Sequence, residues 1–106
     1  MNDDLAIYRD LILVSPNGDK SQIRVGFTKP EIVSRTSATV VVCMAPFHLN
    51  GKKFSGLDGW QAALSVMHLI YVELKAQESA GYKFLFLDGE PFDLDYFLPT
   101  VGRALP

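Results

Sequence analysis

The sequence predicts an α+β domain. We expect a two-layer fold with a mainly antiparallel sheet of about four strands, in the order β-β-β-α-β. One long helix packs on one face, and an apolar C-terminal tail follows. Three observations predict this. Residues 58–81 carry apolar side chains at helical spacing between an aspartate and a glycine. The preceding half alternates apolar runs with turn-forming Pro, Asn and Gly. After the helix comes a compact aromatic run, Tyr82 to Leu87, the pattern of a final strand. A sheet and one long amphipathic helix bury their apolar faces most simply against each other. With 106 residues the chain fits a single domain, 1–106.

Leu5 to Val14 reads as a strand with aliphatic residues on both faces, and Arg9 and Asp10 interrupt it with a bulge or an edge position. Ser15-Pro16-Asn17-Gly18-Asp19 is a turn, because Asn-Gly accepts positive φ. Gln22 to Thr28 alternates, with Ile23, Val25 and Phe27 inward and Gln22, Arg24 and Thr28 outward. The two runs should therefore form a hairpin with one wet face. Lys29-Pro30 ends the second strand, since proline donates no ladder bond. Glu31 to Ser37 is a linker or a short edge strand. Val40 to Ala45 is apolar at every position, as in a strand buried on both faces, and Pro46 bends it. Asn50 to Lys53 is a polar turn, and Phe54 to Leu57 leads into the helix.

Asp58 suits the helix N-cap, and Gln61 can reach back to the Asp58 N–H as a capping box. Gly81 suits the C-terminal end. Trp60, Ala63, Leu64, Met67, Ile70, Tyr71 and Leu74 form the main apolar stripe, widened by Ala62, Val66 and Leu69. Gln61, Ser65, His68 and Lys75 line the opposite side. So wide an arc asks for cover on two sides, and the C-terminal tail is the simplest second cover. That tail carries Phe92, Leu94, Tyr96, Phe97, Leu98, Val101 and Leu105, too apolar to stay disordered, with a helical turn expected from Asp93 to Leu98.

Composition narrows function by exclusion. Apolar residues make up 48% and charged residues 21%, as in an ordinary soluble protein. A net charge of −2 argues against a nucleic-acid binder, which needs a basic footprint. The start, MNDDLAIYRD, lacks the basic and apolar regions of a signal peptide, and the single cysteine, Cys43, allows no internal disulfide. A cytoplasmic location is expected. Nucleophilic catalysis needs a base beside Ser, Cys or Thr. Only His48 and His68 are on offer, and His48 follows Cys43 by five residues, which puts the two on opposite faces of one strand. No ligand spacing suggests a metal, and no cofactor is expected. Asp88, Glu90, Asp93 and Asp95 lack the glycine and distal glutamate of a calcium loop. Glycine-flanked Asp58 would repel phosphate from the helix start.

Asp88, Glu90, Asp93 and Asp95 fall within eight residues, beside Phe92, Tyr96 and Phe97. As a solvated turn they need no function. As a contact surface the carboxylates would steer a basic partner and the aromatics would anchor it. Asp88, Glu90, Phe92, Asp93, Asp95 and Tyr96 are therefore the candidate partner-binding residues. The pattern Gly56-x-Asp58-x-x-Gln61-Ala62, with Leu64 and the strand Phe84-Leu85-Phe86, resembles a small uncharacterised bacterial domain family. In size and acidic character the chain is similar to immunity proteins of contact-dependent growth inhibition. That resemblance implies an antitoxin, not an enzyme. It would bind a cognate toxin domain, typically a basic nuclease, and cover its active site, with no direct nucleic-acid or membrane contact, as a monomer or weak dimer. The alternative is a small-ligand or regulatory module with a pocket between helix and sheet near Trp60, Tyr71 and Tyr82.

Overall fold

The computed structural model describes residues 5–97, leaving aside the side chains of Leu5 and Phe97. The expected tail residues Leu98, Val101 and Leu105 lie outside this range. Strands β1 (Leu5–Val14) and β2 (Lys20–Thr28) form the expected antiparallel hairpin. Its turn is held by Ser15 N–H donating to the Asp19 carbonyl at 2.8 Å and Gly18 N–H to the Ser15 carbonyl at 2.9 Å. Gly18 sits at φ +95°, where a Cβ would be strained. Leu11, Leu13, Ile23, Val25 and Phe27 face the core. Asp10 lies opposite Arg24 on the other face, joined to it by bonds of 2.6 and 3.0 Å. The hydrogen bond from the Arg24 guanidinium holds the Asp10 carboxyl below its ordinary pKa, and burial opposes this only partly.

Arg9 and Asp10 therefore mark no bulge. The register runs unbroken from Ile7 to Val14, and the irregularity lies between Leu5 and Ile7. Gly26 is the physical reason. A Cβ there would stand 2.2 Å from the Ile7 carbonyl oxygen and 2.6 Å from the Tyr8 Cα, so β1 leans into space that no side chain occupies.

The sheet has six strands rather than four. The ambiguous segment after Pro30 forms β3 (Glu31–Ser34), and the stretch expected only to lead into the helix forms β5 (Lys53–Gly56). Both flank β4 (Ser37–Cys43): Ala38 pairs with Ile32 of β3 and with Gly56 of β5. Hydrogen-bonded neighbours run β3-β4-β2-β1-β6, with β5 added on β4. β4 is not buried on both faces. Ala38, Val40 and Val42 are buried and their neighbours only half-buried, so the outer face of this strand, with Ser37 and Thr39 beside Val41 and Cys43, is partly wet. The strand also ends earlier than its apolar run, because residues 44–52 turn back on themselves. Met44 N–H donates to Asn50 Oδ1 at 2.8 Å and Gly51 N–H to the Val42 carbonyl at 2.7 Å.

Helix α1 (Gly59–Ser79) is capped by Asp58, whose carboxylate accepts from Gln61 N–H at 2.8 Å. The return bond differs from the expected box. Gln61 Oε1 accepts from Leu57 N–H at 2.5 Å, one residue before the cap. The buried stripe is Ala62, Val66, Ile70 and Leu74, joined by Glu73. Trp60, expected in the main stripe, is 78% exposed. Gly56 accounts for the shift. A Cβ there would meet Ala62 N at 2.6 Å, so the helix sits down on β5 through Ala62 and turns Trp60 aside. Strand β6 (Lys83–Leu85) pairs with β1 on its free side, and Phe84 enters the core opposite Leu13. Helix α2 (Leu94–Phe97) is the expected short turn. Phe47, Phe84 and Tyr82 meet edge to face, closing the core at that end.

Candidate protein-binding site

The acidic segment follows β6 and is built as a rigid turn. Phe86 N–H donates to the Glu90 carbonyl at 2.8 Å and Gly89 N–H to the Phe86 carbonyl at 2.9 Å, with Gly89 at φ +94°. Asp88 Oδ1 accepts from Glu90 N–H at 3.0 Å, the local bond that makes aspartate a turn residue. Pro91 bridges back to Leu85, and Phe92 N–H donates to the Phe84 carbonyl at 3.0 Å. Alternation then sorts the residues. Phe92 and Leu94 are 4% and 2% exposed and enter the core, while Asp93 and Asp95 point outward.

Phe92 was expected as an exposed anchor, and this is corrected. It is a core residue, its ring edge-on to Phe86 at 5.2 Å, with the Arg9 guanidinium 5.5 Å from each of the two rings. Asp88, Glu90, Asp93, Asp95 and Tyr96 are exposed, Tyr96 at 79%. Asp93 Oδ1 accepts from Asp95 N–H at 3.1 Å, and Tyr96 N–H donates to the Asp93 carbonyl at 3.1 Å. Asp95 ties the segment to the helix: its carboxylate accepts from Tyr71 O–H at 2.5 Å and faces Lys75 Nζ at 3.5 Å. Burial acts to lower the pKa of the Lys75 ammonium, but Asp95 and Glu78 outweigh it and the pKa is raised. The arrangement presents fixed negative charge without spending side-chain freedom on binding, and it suits a cationic surface.

The other candidates are placed apart. Cys43 lies between Val42 and Met44, both fully buried on the helix side, so alternation turns it to the outer face. His48 goes the other way, its Nδ1 3.3 Å from Glu73 Oε2 on α1. The two cannot act together. Glu73 is a feature that sequence reasoning missed. It is 6% exposed and also accepts from Gln77 Nε2 at 2.8 Å. Its position, three residues after Ile70 and seven after Val66, was the available signal. His68, placed on the side opposite the apolar stripe, is half-buried, and its Nδ1 finds no hydrogen-bond partner. Among the described residues no three His, Cys, Asp or Glu side chains converge to hold a metal ion.

A hollow of about 210 Å³ opens between helix and sheet beside Ile7, Tyr8, Met67 and Phe92, and a more open one of about 470 Å³ runs from the end of α1 to β6 past Glu78, Tyr82 and Phe84. Neither is lined by Trp60 or Tyr71. Among the described residues no helix is long and apolar enough to cross a membrane. Comparison of the chain with models of known families, with curated proteins and with solved structures gives no match in any of the three.

Proposed function

We propose that this protein is an immunity protein. It binds a cognate bacterial toxin domain, a basic nuclease of a contact-dependent inhibition system, and neutralises it by covering the active site in the cytoplasm. The observation that carries the reading is the construction of the acidic segment. Asp88, Glu90 and Asp93 are exposed on a turn whose neighbours Phe92 and Leu94 are fixed in the core. Such carboxylates meet a phosphate-binding cleft as ready-made phosphate mimics, and Tyr96 beside them supplies an aromatic contact. The protein acts by its exterior and performs no bond chemistry of its own.

The alternative, a small-ligand module, has less support. The more enclosed hollow between helix and sheet, about 210 Å³, falls below the roughly 300 Å³ at which ligand pockets begin, and the larger one beside Tyr82, about 470 Å³, lies open to solvent at the end of the helix.

The proposal requires a small basic toxin domain encoded beside this protein, and the test is co-expression with that domain. The wild type should co-purify with that domain and restore growth. A variant carrying Asp88→Lys, Glu90→Lys and Asp93→Lys should do neither while keeping the same thermal unfolding curve. Growth rescue by the triple variant would remove the acidic segment from the mechanism, and absence of any complex with the wild type would remove the immunity reading itself.

A further inference from the structure

The tip of the first hairpin and the 44–52 loop share a dipeptide with chemistry of its own. The chain holds two Asn-Gly pairs, Asn17-Gly18 and Asn50-Gly51. In such a pair the glycine backbone nitrogen attacks the asparagine side-chain carbonyl carbon, since glycine has no side chain to obstruct it. The N–H proton leaves to solvent, a C–N bond closes a succinimide ring, and the side-chain nitrogen departs as ammonia. Water then opens the ring at either carbonyl, giving aspartate or isoaspartate. The reaction needs water alone, with no redox partner and no catalytic side chain.

Residue type gives the two pairs one fate, and the fold separates them. Both asparagines are exposed, and Gly18 and Gly51 share the left-handed region at φ +95° and +83°. Their hydrogen-bond partners differ. Asn17 Oδ1 accepts from the Ser15 O–H and from Asp19 N–H, the latter at 3.3 Å, and Gly18 N–H donates to the Ser15 carbonyl at 2.9 Å. Each of these partners belongs to the same turn. The strands stay paired directly below it, Val14 opposite Lys20. One local opening of residues 15–19 therefore frees the carboxamide and the nitrogen together and leaves the core untouched.

Asn50 is tied to the interior instead. Its Oδ1 accepts from Met44 N–H at 2.8 Å, and Gly51 N–H donates to the Val42 carbonyl at 2.7 Å. Met44 and Val42 are both 0% exposed. Releasing this pair detaches the loop from β4 and strips the buried Met44 N–H of its acceptor, a costly loss. We propose that Asn17 is a site of spontaneous covalent modification: the folded chain converts it to aspartate and isoaspartate, while Asn50 stays an amide. Either product adds a negative charge beside Asp19. Isoaspartate also routes the main chain through the former side-chain carbon and so lengthens the turn. The inference rests neither on the acidic segment nor on a toxin.

Incubation of the full folded chain at mildly alkaline pH tests it, followed by brief tryptic digestion and mass spectrometry that distinguishes aspartate from isoaspartate. Cleavage after Arg9, Lys20, Arg35 and Lys52 puts the two pairs on separate peptides, 10–20 and 36–52. In the folded chain Asn17 should convert at least about tenfold faster than Asn50, because its turn opens at less cost. In urea, where both turns are lost, the two should convert at similar rates. Circular dichroism confirms that the first sample stays folded. Asn50 keeping pace with Asn17 in the folded chain overturns the proposal. So does an Asn17 that stays an amide there. A ratio in urea equal to that in the folded chain also overturns it, since neighbouring residues rather than the fold would then set the rates.

Discussion

Gly26 shapes the sheet by what it lacks. The Ile7 carbonyl and Tyr8 backbone occupy the place of its side chain, at 2.2 and 2.6 Å from where a Cβ would be. Backbone cannot swing away as a side chain can. Gly26→Ala should therefore cost at least about 3 kcal/mol, the upper range for overpacking, measured as a fall in urea midpoint. A loss under about 0.5 kcal/mol would mean that β1 is free to shift. Glu73 is the other residue whose surroundings decide its meaning. A carboxylate is costly to bury unless bonded; Gln77 supplies a hydrogen bond from the next turn of helix, and His48 Nδ1 of the 44–52 loop lies 3.3 Å from the same oxygen. His48 is thereby tied to the helix, and its imidazole is 70% exposed.

At the scale of elements, the acidic segment is held in shape because two of its residues are not on the surface. Phe92 and Leu94 hold the backbone while Asp93 and Asp95 face outward. Phe92→Ala removes no charge, yet it should lower stability by about 3–5 kcal/mol and release the segment. If rigidity matters to binding, affinity for the toxin domain should fall as well, at a temperature where the variant is still folded. Equal affinity in calorimetry would show that charge alone suffices. The sequence made the hairpin, the long helix, the final strand and the short terminal helix legible, since each has its own periodicity and turn residues. It left β3 open between a linker and a short edge strand, and it did not reveal β5. A four-residue strand such as Glu31–Ser34, exposed throughout, has no buried face to impose alternation. Trp60 was misread for a related reason. Helical spacing alone does not say which end of an apolar arc the sheet covers, and the close approach of Gly56 to Ala62 settles that. Phe92 was misread because an acidic turn looked wholly exposed, whereas its aromatic is what fixes it.

For the whole molecule, the two layers leave the acidic turn beyond β6 as a charged surface. A net charge of −2 understates it, because four of the twelve acidic residues fall within residues 88–95. Local fields of this kind act on encounter more than on the lifetime of a complex. They also fade with salt, over a screening length of about 10 Å at 0.1 M. The most direct measurement is the association rate constant with the basic toxin domain that the proposed function requires, by stopped flow at low and high salt. Wild type should associate fast at low salt and slow steeply as salt rises. The variant Asp88→Lys, Glu90→Lys, Asp93→Lys should associate at least about tenfold more slowly at low salt and respond little to added salt. Equal rate constants for the two proteins at low salt would contradict the account.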